Sequence, residues 1–239
     1  MTNSRPPLQH LPKWHQNAIY IAALSLSLPI NLAIAALTLR KVGRPVVLPQ
    51  WLPIASSHAM PLASILLQAI LALLVINLVR TLLLRHRRIR GTLLCLGVLV
   101  TASLMLNIVR IGHLICTVPV IDATYLLAAS ALAYCSITLT FLFWYWFIDY
   151  PTQVRHLHHQ DNLCAIVFPR EAVLADARWL PNPLDYLYLT LMINNTLGPP
   201  ENHTPVSRSI KLVQLWHSTT TMILLVLVVS RAINTLHQP

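Results

Sequence analysis

The chain has 239 residues, of which 56% are hydrophobic and only 10% carry a charge. A soluble domain has about 25% charged residues, so this chain has too few polar side chains to cover a globule in water. The mean hydropathy of +0.62 agrees with that deficit. Composition therefore excludes a soluble enzyme, a disordered chain and a disulfide-rich scaffold, and it indicates an integral membrane protein.

The formal net charge of +10 is unevenly distributed. Residues 1–121 contain eleven Lys or Arg and no acid, whereas residues 122–239 contain six bases and all seven acids. The bases lie beside apolar runs, where topology signals and contacts with lipid phosphates place them. This distribution favours a lipid bilayer over a nucleic acid as the partner.

Five apolar stretches are long enough to cross the membrane, because a hydrocarbon core about 30 Å thick requires about 20 helical residues. The sequence therefore predicts an all-α, polytopic membrane protein. The predicted spans are 18–39, 59–79, 91–109, 123–148 and 212–230. The chain divides into a cytoplasmic segment 1–17, three transmembrane helices with basic loops in 18–121, and a region 122–239 that holds the last two spans.

The orientation signal is the basic segment from Arg85 to Arg90, between the second and third spans. Loops rich in Lys and Arg remain on the cytoplasmic side of the membrane. With five spans, this rule places the N-terminus inside the cell and the C-terminus outside. Three bases, Arg40, Lys41 and Arg44, follow the first span and indicate the opposite orientation.

A long mixed connection, 149–211, joins the fourth and last spans and contains a short apolar segment, 184–197. A segment of about 14 apolar residues is typical of a re-entrant or interfacial helix. Asn182 can cap its first turn and Pro183 suits its first position. The run Gly198-Pro199-Pro200 then predicts its end.

This ending resembles the pore module of two-transmembrane potassium channels. The segment Asp185-Tyr186-Leu187-Tyr188-Leu189-Thr190, followed by Asn195-Thr196-Leu197-Gly198, is similar to a pore helix running into a filter. Thr204-Pro205-Val206-Ser207-Arg208 resembles the lead into the inner helix. The resemblance implies a homo-oligomer, with four copies the first expectation, and monovalent ions as partners.

Two features depart from that module. A potassium filter requires Thr-Val-Gly-Tyr-Gly, whose carbonyl oxygens replace the water of the ion. This chain has Thr196-Leu197-Gly198-Pro199-Pro200 instead, with one glycine and two prolines of fixed φ. The basic segment also places the short helix on the cytoplasmic side, whereas potassium channels hold it outside.

Residues 138–232 are also similar to a group of uncharacterised bacterial inner-membrane proteins. The shared features are an aromatic end to one span, a downstream Phe-Pro, a Trp-x-Pro before an Asp-Tyr-Leu-Tyr segment, and a last span that ends in Arg-Ala-x-Asn. Here they are Trp144-Tyr145-Trp146, Phe168-Pro169, Trp179-Leu180-Pro181, Asp185-Tyr186-Leu187-Tyr188 and Arg231-Ala232-Ile233-Asn234. The resemblance implies the inner membrane and brings no activity.

From these features we predict a non-enzymatic membrane protein with a degenerate, channel-like pore loop, acting in ion conduction or in assembly of a membrane complex. The sequence indicates no catalytic residue, metal site or cofactor. The predicted pore-loop or assembly surface comprises Asp185, Tyr186, Tyr188, Asn195, Thr196 and Gly198, with Arg208 and Arg231 as partners for acids.

The alternative is a transporter, or a haem or metal protein, that uses His113 and His217. These histidines lie nearest to membrane depth, and two facing imidazoles can ligate a b-type haem. A transporter needs buried acids, and Asp122 and Asp149 only flank the predicted fourth span. The histidines at 156, 158 and 159 share a helical face only if that segment is helical, and we interpret them as solvated.

Overall fold

The computed structural model describes residues 13–41, 89–117, 123–158, 164–169 and 179–236. These residues form five helices, which we number in chain order, and two short strands. The helices are α1 Lys13–Lys41, α2 Ile89–Thr117, α3 Ala123–His158, α4 Pro183–Thr196 and α5 Arg208–Leu236. Strands β1 Ile166–Val167 and β2 Thr204–Pro205 pair antiparallel, with Ile166 opposite Pro205.

Within the described residues, the only regular structure besides the helices is this strand pair. Helices α1, α2, α3 and α5 are each long and apolar enough to cross a membrane. They correspond to the first, third, fourth and last predicted spans. The second predicted span, 59–79, lies outside the described residues. Residues 85–88 of the basic segment also lie outside them. Four membrane-type helices thus confirm the multi-pass character predicted from composition.

The helices extend into the predicted connection 149–211 from both ends. Helix α3 continues through Asp149 and Pro151 to His158, and α5 begins at Arg208. A buried acid and a proline usually mark the end of an apolar helix. Here the acid finds hydrogen-bond donors inside the protein, so the helix extends ten residues beyond the predicted span.

Helix α3 is the centre of the bundle and contacts α1, α2, α4 and α5. Its aromatic segment supplies much of the core, since Phe143 and Tyr145 are fully buried. Trp146 stacks on Tyr20 of α1 with ring centroids 4.4 Å apart. The aromatic run Trp144-Tyr145-Trp146 at the end of the predicted fourth span therefore packs mainly against other helices.

Contacts between helices show which of them run parallel and which antiparallel. Trp144 of α3 donates to the Thr101 hydroxyl of α2 at 2.9 Å, near the level at which Tyr20 of α1 packs on Trp146. Closer to the C-terminal ends of α1 and α2, the Asn107 amide of α2 donates to the Asn31 side chain of α1 at 3.0 Å. Helices α1 and α2 therefore run in the same direction. The link of five residues between α2 and α3 makes α3 antiparallel to both.

Polar residues of the spans meet at these contacts. Asn107 also donates to the backbone oxygen of Asn31, and both side chains are buried. Asn31 in turn donates to the Ser27 carbonyl oxygen at 2.9 Å. Asn31 and Asn107 thus form a hydrogen bond between α1 and α2, worth about 1 kcal/mol or less in a membrane.

The closest approach between α2 and α3 lies at Gly97. A Cβ atom there would be 2.5 Å from Cε1 of the fully buried Phe143. We expect Gly97→Ala to destabilise the protein by about 1–3 kcal/mol, because the ring cannot move without disturbing the core. Thermal unfolding of the purified protein measures the change.

Gly91 on the same helix is the matched control, since a Cβ atom there meets nothing within 4 Å. Gly91→Ala should be neutral or slightly stabilising, because alanine favours the helix more than glycine does. Equal melting temperatures for the two variants would contradict the close packing of α2 on α3.

Candidate functional site

The short helix α4 begins at the capping residues that the sequence predicted. The Asn182 side-chain oxygen accepts from the backbone N–H groups of Leu184 at 2.8 Å and Asp185 at 3.1 Å. The Asp185 carboxylate accepts from the Asn182 N–H at 2.6 Å, and Pro183 occupies the first helical position. This reciprocal capping box satisfies free donors of the first turn. Asp185 thus has a defined structural role.

Helix α4 ends at a compact turn. Leu197 has the left-handed conformation, with φ 58° and ψ 17°, and its N–H donates to the Ile193 carbonyl oxygen at 2.9 Å. The Thr196 hydroxyl lies 2.7 Å from the Met192 oxygen and 3.0 Å from the Gly198 oxygen. The predicted stop is confirmed, although the left-handed residue is Leu197 and not Gly198.

Helix α4 lies antiparallel to α3 along its whole length. Near its start, Tyr186 bonds to Asp149, and near its end Asn194 bonds to Thr138. Asn195, one residue further, accepts from the Tyr134 hydroxyl at 3.1 Å. The contacts on α3 run from residue 149 back to residue 134, which corresponds to about 22 Å of helix.

Asp149 anchors the beginning of α4 and is fully buried. One of its carboxylate oxygens accepts from the Tyr186 hydroxyl at 2.7 Å, and the other accepts from the Ile166 N–H at 2.8 Å. Gln153, one turn further along α3, donates to the first of these oxygens at 3.2 Å. Donors from α3, α4 and β1 therefore replace the water that the carboxylate lost on burial.

The same residues hold the strand pair against α3. The Gln153 amide also donates to the Ile166 carbonyl oxygen at 2.7 Å, and its own oxygen lies 3.3 Å from the buried Cys164 sulfur. The Ala165 N–H donates to the Thr152 hydroxyl at 2.9 Å. Residues 164–167 are thus fixed by polar side chains of α3 beyond the predicted end of the fourth span.

A second buried cluster fixes the end of α4. The ring of His217 on α5 is fully buried between the Tyr145 hydroxyl, 3.1 Å from Nδ1, and the Asn194 side-chain oxygen, 2.6 Å from Nε2. The Asn194 oxygen also accepts from Thr221 at 3.1 Å, and its amide donates to Thr138 at 2.8 Å. Asn194 thereby joins α3, α4 and α5.

The partners of His217 define its tautomer. An amide oxygen only accepts, so Nε2 must carry the proton that it donates to Asn194, and Nδ1 accepts from Tyr145. The ring also stacks on Phe141, with centroids 4.2 Å apart and planes 14° from parallel. Both nitrogens are therefore engaged, and the ring is held on both edges and one face.

The chain returns from α4 to α5 beside the strand pair. His203 packs edge-on against Phe168, with centroids 5.4 Å apart, and its Nδ1 lies 3.1 Å from the Glu201 carbonyl oxygen. Burial lowers the pKa of His203, which favours the neutral ring. Tyr188, half exposed, lies 5.9 Å from the same imidazole.

The structure distributes the predicted site residues over several environments. Tyr186 is buried on the face toward α3, whereas Tyr188 is 52% exposed. Asn195, Thr196 and Leu197 form the exposed tip of α4. Arg208 is exposed at the start of α5, whereas Arg231 is buried near its end. These residues do not form the single surface that the sequence predicted.

The two histidines of the haem alternative lie at different levels of the bundle. A Cβ atom added to Gly112, beside His113, would lie 3.4 Å from Leu227 of α5. Leu227 is ten residues, or about 15 Å, from His217 along that helix. His217 also uses both nitrogens for hydrogen bonds. Among the described residues, no group of three His, Cys, Asp or Glu side chains is arranged to hold a metal ion.

Sequence reasoning missed Asp149, Gln153, Tyr145 and Asn194 as organising residues. Tyr145, Asp149 and Gln153 follow each other at intervals of four on α3, as Tyr186, Thr190 and Asn194 do on α4. Residues four apart share one face of a helix, so each set forms a polar stripe. The stripe on α3 becomes visible only if the helix is extended past Ile148.

The bond between Tyr186 and Asp149 yields a direct test. Tyr186→Phe leaves a buried carboxylate without its shortest donor, so we expect a loss of about 1–3 kcal/mol. Tyr188→Phe removes the same hydroxyl from an exposed ring and should change stability by less than about 0.5 kcal/mol. Thermal melting of the two purified variants measures both effects, and an unaltered Tyr186→Phe protein would remove Asp149 as the anchor of α4.

Comparisons with known proteins found no match to a family model, a curated protein or a solved structure.

Proposed function

We propose that the protein is a five-span membrane protein of the bacterial inner membrane with a cytoplasmic N-terminus. Four membrane-type helices support the multi-pass part of this proposal. Because α1 and α2 run in the same direction, we propose a further span between them. The predicted span 59–79 has a suitable length for it.

The positions of the basic residues support the orientation. We call the side on which α3 ends and α4 begins the Asp149 end. Arg90, Arg155, Arg208 and Lys211 are all exposed and all lie at this end of their helices. The positive-inside rule then makes the Asp149 end cytoplasmic.

We propose further that α4 is re-entrant. It starts at the Asp149 end, follows α3 and stops beside Tyr134 and Thr138, near the middle of the predicted span 123–148. The chain then returns through residues 197–207 to α5. The course of α4 along α3 carries this proposal, since a helix lying flat at the interface would cross α3 at one level only.

The tip of α4 supports assembly with further copies of the chain. Asn195 and Thr196 are exposed at a depth where lipid would surround a monomer. Irregular backbone and amides persist at membrane depth only where protein or water covers them. We therefore propose a homo-oligomer in which neighbouring copies cover the tip, with four copies expected from the pore-module resemblance.

Such an arrangement is best suited to organising a membrane complex around a pore-loop-like module. The Thr196 hydroxyl lies within hydrogen-bond distance of the Met192 and Gly198 carbonyl oxygens. These oxygens therefore face the hydroxyl and do not form an open row. A potassium-selective filter needs such a row. Conduction of monovalent ions without potassium selectivity is the second candidate, favoured by the polar tip of α4.

The oligomer can be tested by placing a photo-crosslinking residue at Asn195. Crosslinks between copies are expected there, because the proposal buries this position against a neighbour. Val98, 51% exposed on α2 and therefore not on the helix that α4 follows, is the control position and should crosslink to lipid. Native mass measurement in nanodiscs should give a multiple of 26.8 kDa. A monomer without crosslinks would overturn both the proposed oligomer and the interpretation of α4 as a pore-loop-like module.

Ion flux into liposomes separates the two functional candidates. A complex-assembly protein should leave a potassium or sodium gradient intact, whereas a conducting oligomer should dissipate it. Asn195→Leu is the informative variant, because it removes the exposed amide of the tip without touching the buried Asn194. Flux in the wild type that this change abolishes would favour conduction.

The orientation has its own test. Reporter fusions after Arg88 and His159 should report the cytoplasm, and fusions after Arg44 and Ile121 should report the opposite side. The reason is that α1 and α3 then end on opposite sides of the membrane. Cytoplasmic signal after Arg44 would overturn the orientation and leave the helix packing unaffected.

A further inference from the structure

The exposed face of α5 combines two charges with a long apolar surface. Arg208 and Lys211 are exposed in the first turn. Exposed apolar side chains on the same helical face extend from these two bases toward the middle of the membrane. We call this set the α5 strip; its apolar members are Leu212, Leu215, Trp216, Met222 and Ile223, each about half exposed or more.

The charges of the α5 strip are available to a ligand. Within the described part of the chain, neither Arg208 nor Lys211 forms an ion pair with a carboxylate. Ser207 accepts from the N–H groups of Ile210 and Lys211, and the side chains of Arg208 and Lys211 supply the charged donors. At a membrane surface, two cations that pair with none of the described acids attract anionic lipid.

The dimensions of the strip suit a phospholipid. Residues 212–223 extend over about 16 Å of helix, close to half of a hydrocarbon core about 30 Å thick. Trp216 is 54% exposed and lies five residues, or about 7.5 Å, beyond Lys211, at the depth where tryptophan favours the boundary between headgroups and acyl chains. A phosphate at Arg208 and Lys211 would therefore place an acyl chain along the apolar part of the strip.

We propose that the α5 strip is a binding site for an anionic phospholipid, with the phosphate held by Arg208 and Lys211 and an acyl chain lying along Leu212, Leu215 and Trp216. The inference is independent of the proposed oligomer, whose contact is the tip of α4. It requires only that α5 spans the bilayer.

The test places the full-length protein in phosphatidylcholine nanodiscs that contain a small fraction of one brominated lipid. Bromine on the acyl chains quenches nearby tryptophan, and the signal of Trp216 is obtained by subtracting the Trp216→Phe protein. Each basic side chain strengthens the attraction to anionic lipid about fivefold, so two give about 25-fold. Brominated phosphatidylglycerol should therefore quench Trp216 at a mole fraction about 25-fold lower than brominated phosphatidylcholine.

The double variant Arg208→Gln with Lys211→Gln should reduce this preference to about onefold, and Lys211→Gln alone should reduce it to about fivefold. Arg155→Gln is the matched control, because Arg155 is an exposed base at the same end of the bundle but on α3. It should retain the full preference. Circular dichroism and thermal melting confirm that each variant is folded.

Three results would overturn the proposal. Equal quenching by the two lipids would show that the site does not select anionic headgroups. Loss of the preference on addition of soluble glycerol phosphate would identify a phosphate site without a role for the acyl chain. Absence of quenching by either lipid would indicate that a second copy of the chain covers the strip.

Discussion

Burial of the Asp149 carboxylate inside a membrane helix bundle is the constraint on which the surrounding structure depends. A carboxylate without water needs donors from the protein, and three lie within 3.2 Å, on Tyr186, Ile166 and Gln153. They come from α4, β1 and α3. The position of the short helix, the seating of the strand pair and the extension of α3 beyond the apolar span are therefore consequences of one buried acid.

The buried cluster around Asn194 and His217 fixes the other end of α4, again through hydrogen bonds between buried polar groups. Asn194 satisfies its amide through Thr138, His217 and Thr221, while His217 completes its own bonds with Tyr145. Because these partners lie on α3 and α5, a change in the depth of α4 would leave several buried groups unsatisfied. Two polar clusters about 12 Å apart along the helix thus define its depth, while the apolar contacts between them provide packing.

This construction differs from that of a potassium-channel filter despite the similar order of elements. Here the strongest polar interactions lie on the buried side of the short helix and hold it to its own chain. The tip that would face a neighbour carries only Asn195 and Thr196, and its turn is closed on itself. This construction supports the proposed role in assembly, and the charged and apolar face of α5 is the surface proposed for lipid.

The sequence by itself determined the membrane class, four of the described helices and the caps of α4, because each depends on local composition or on residues within one turn. Asn182, Pro183 and Asp185 act within four positions of each other, so their roles were predictable. The pairing of Asp149 with Tyr186 and of Asn194 with His217 joins residues 37 and 23 positions apart. Only the tertiary structure decided these pairs, because whether a polar residue ends a span or continues it depends on donors that arrive from other helices.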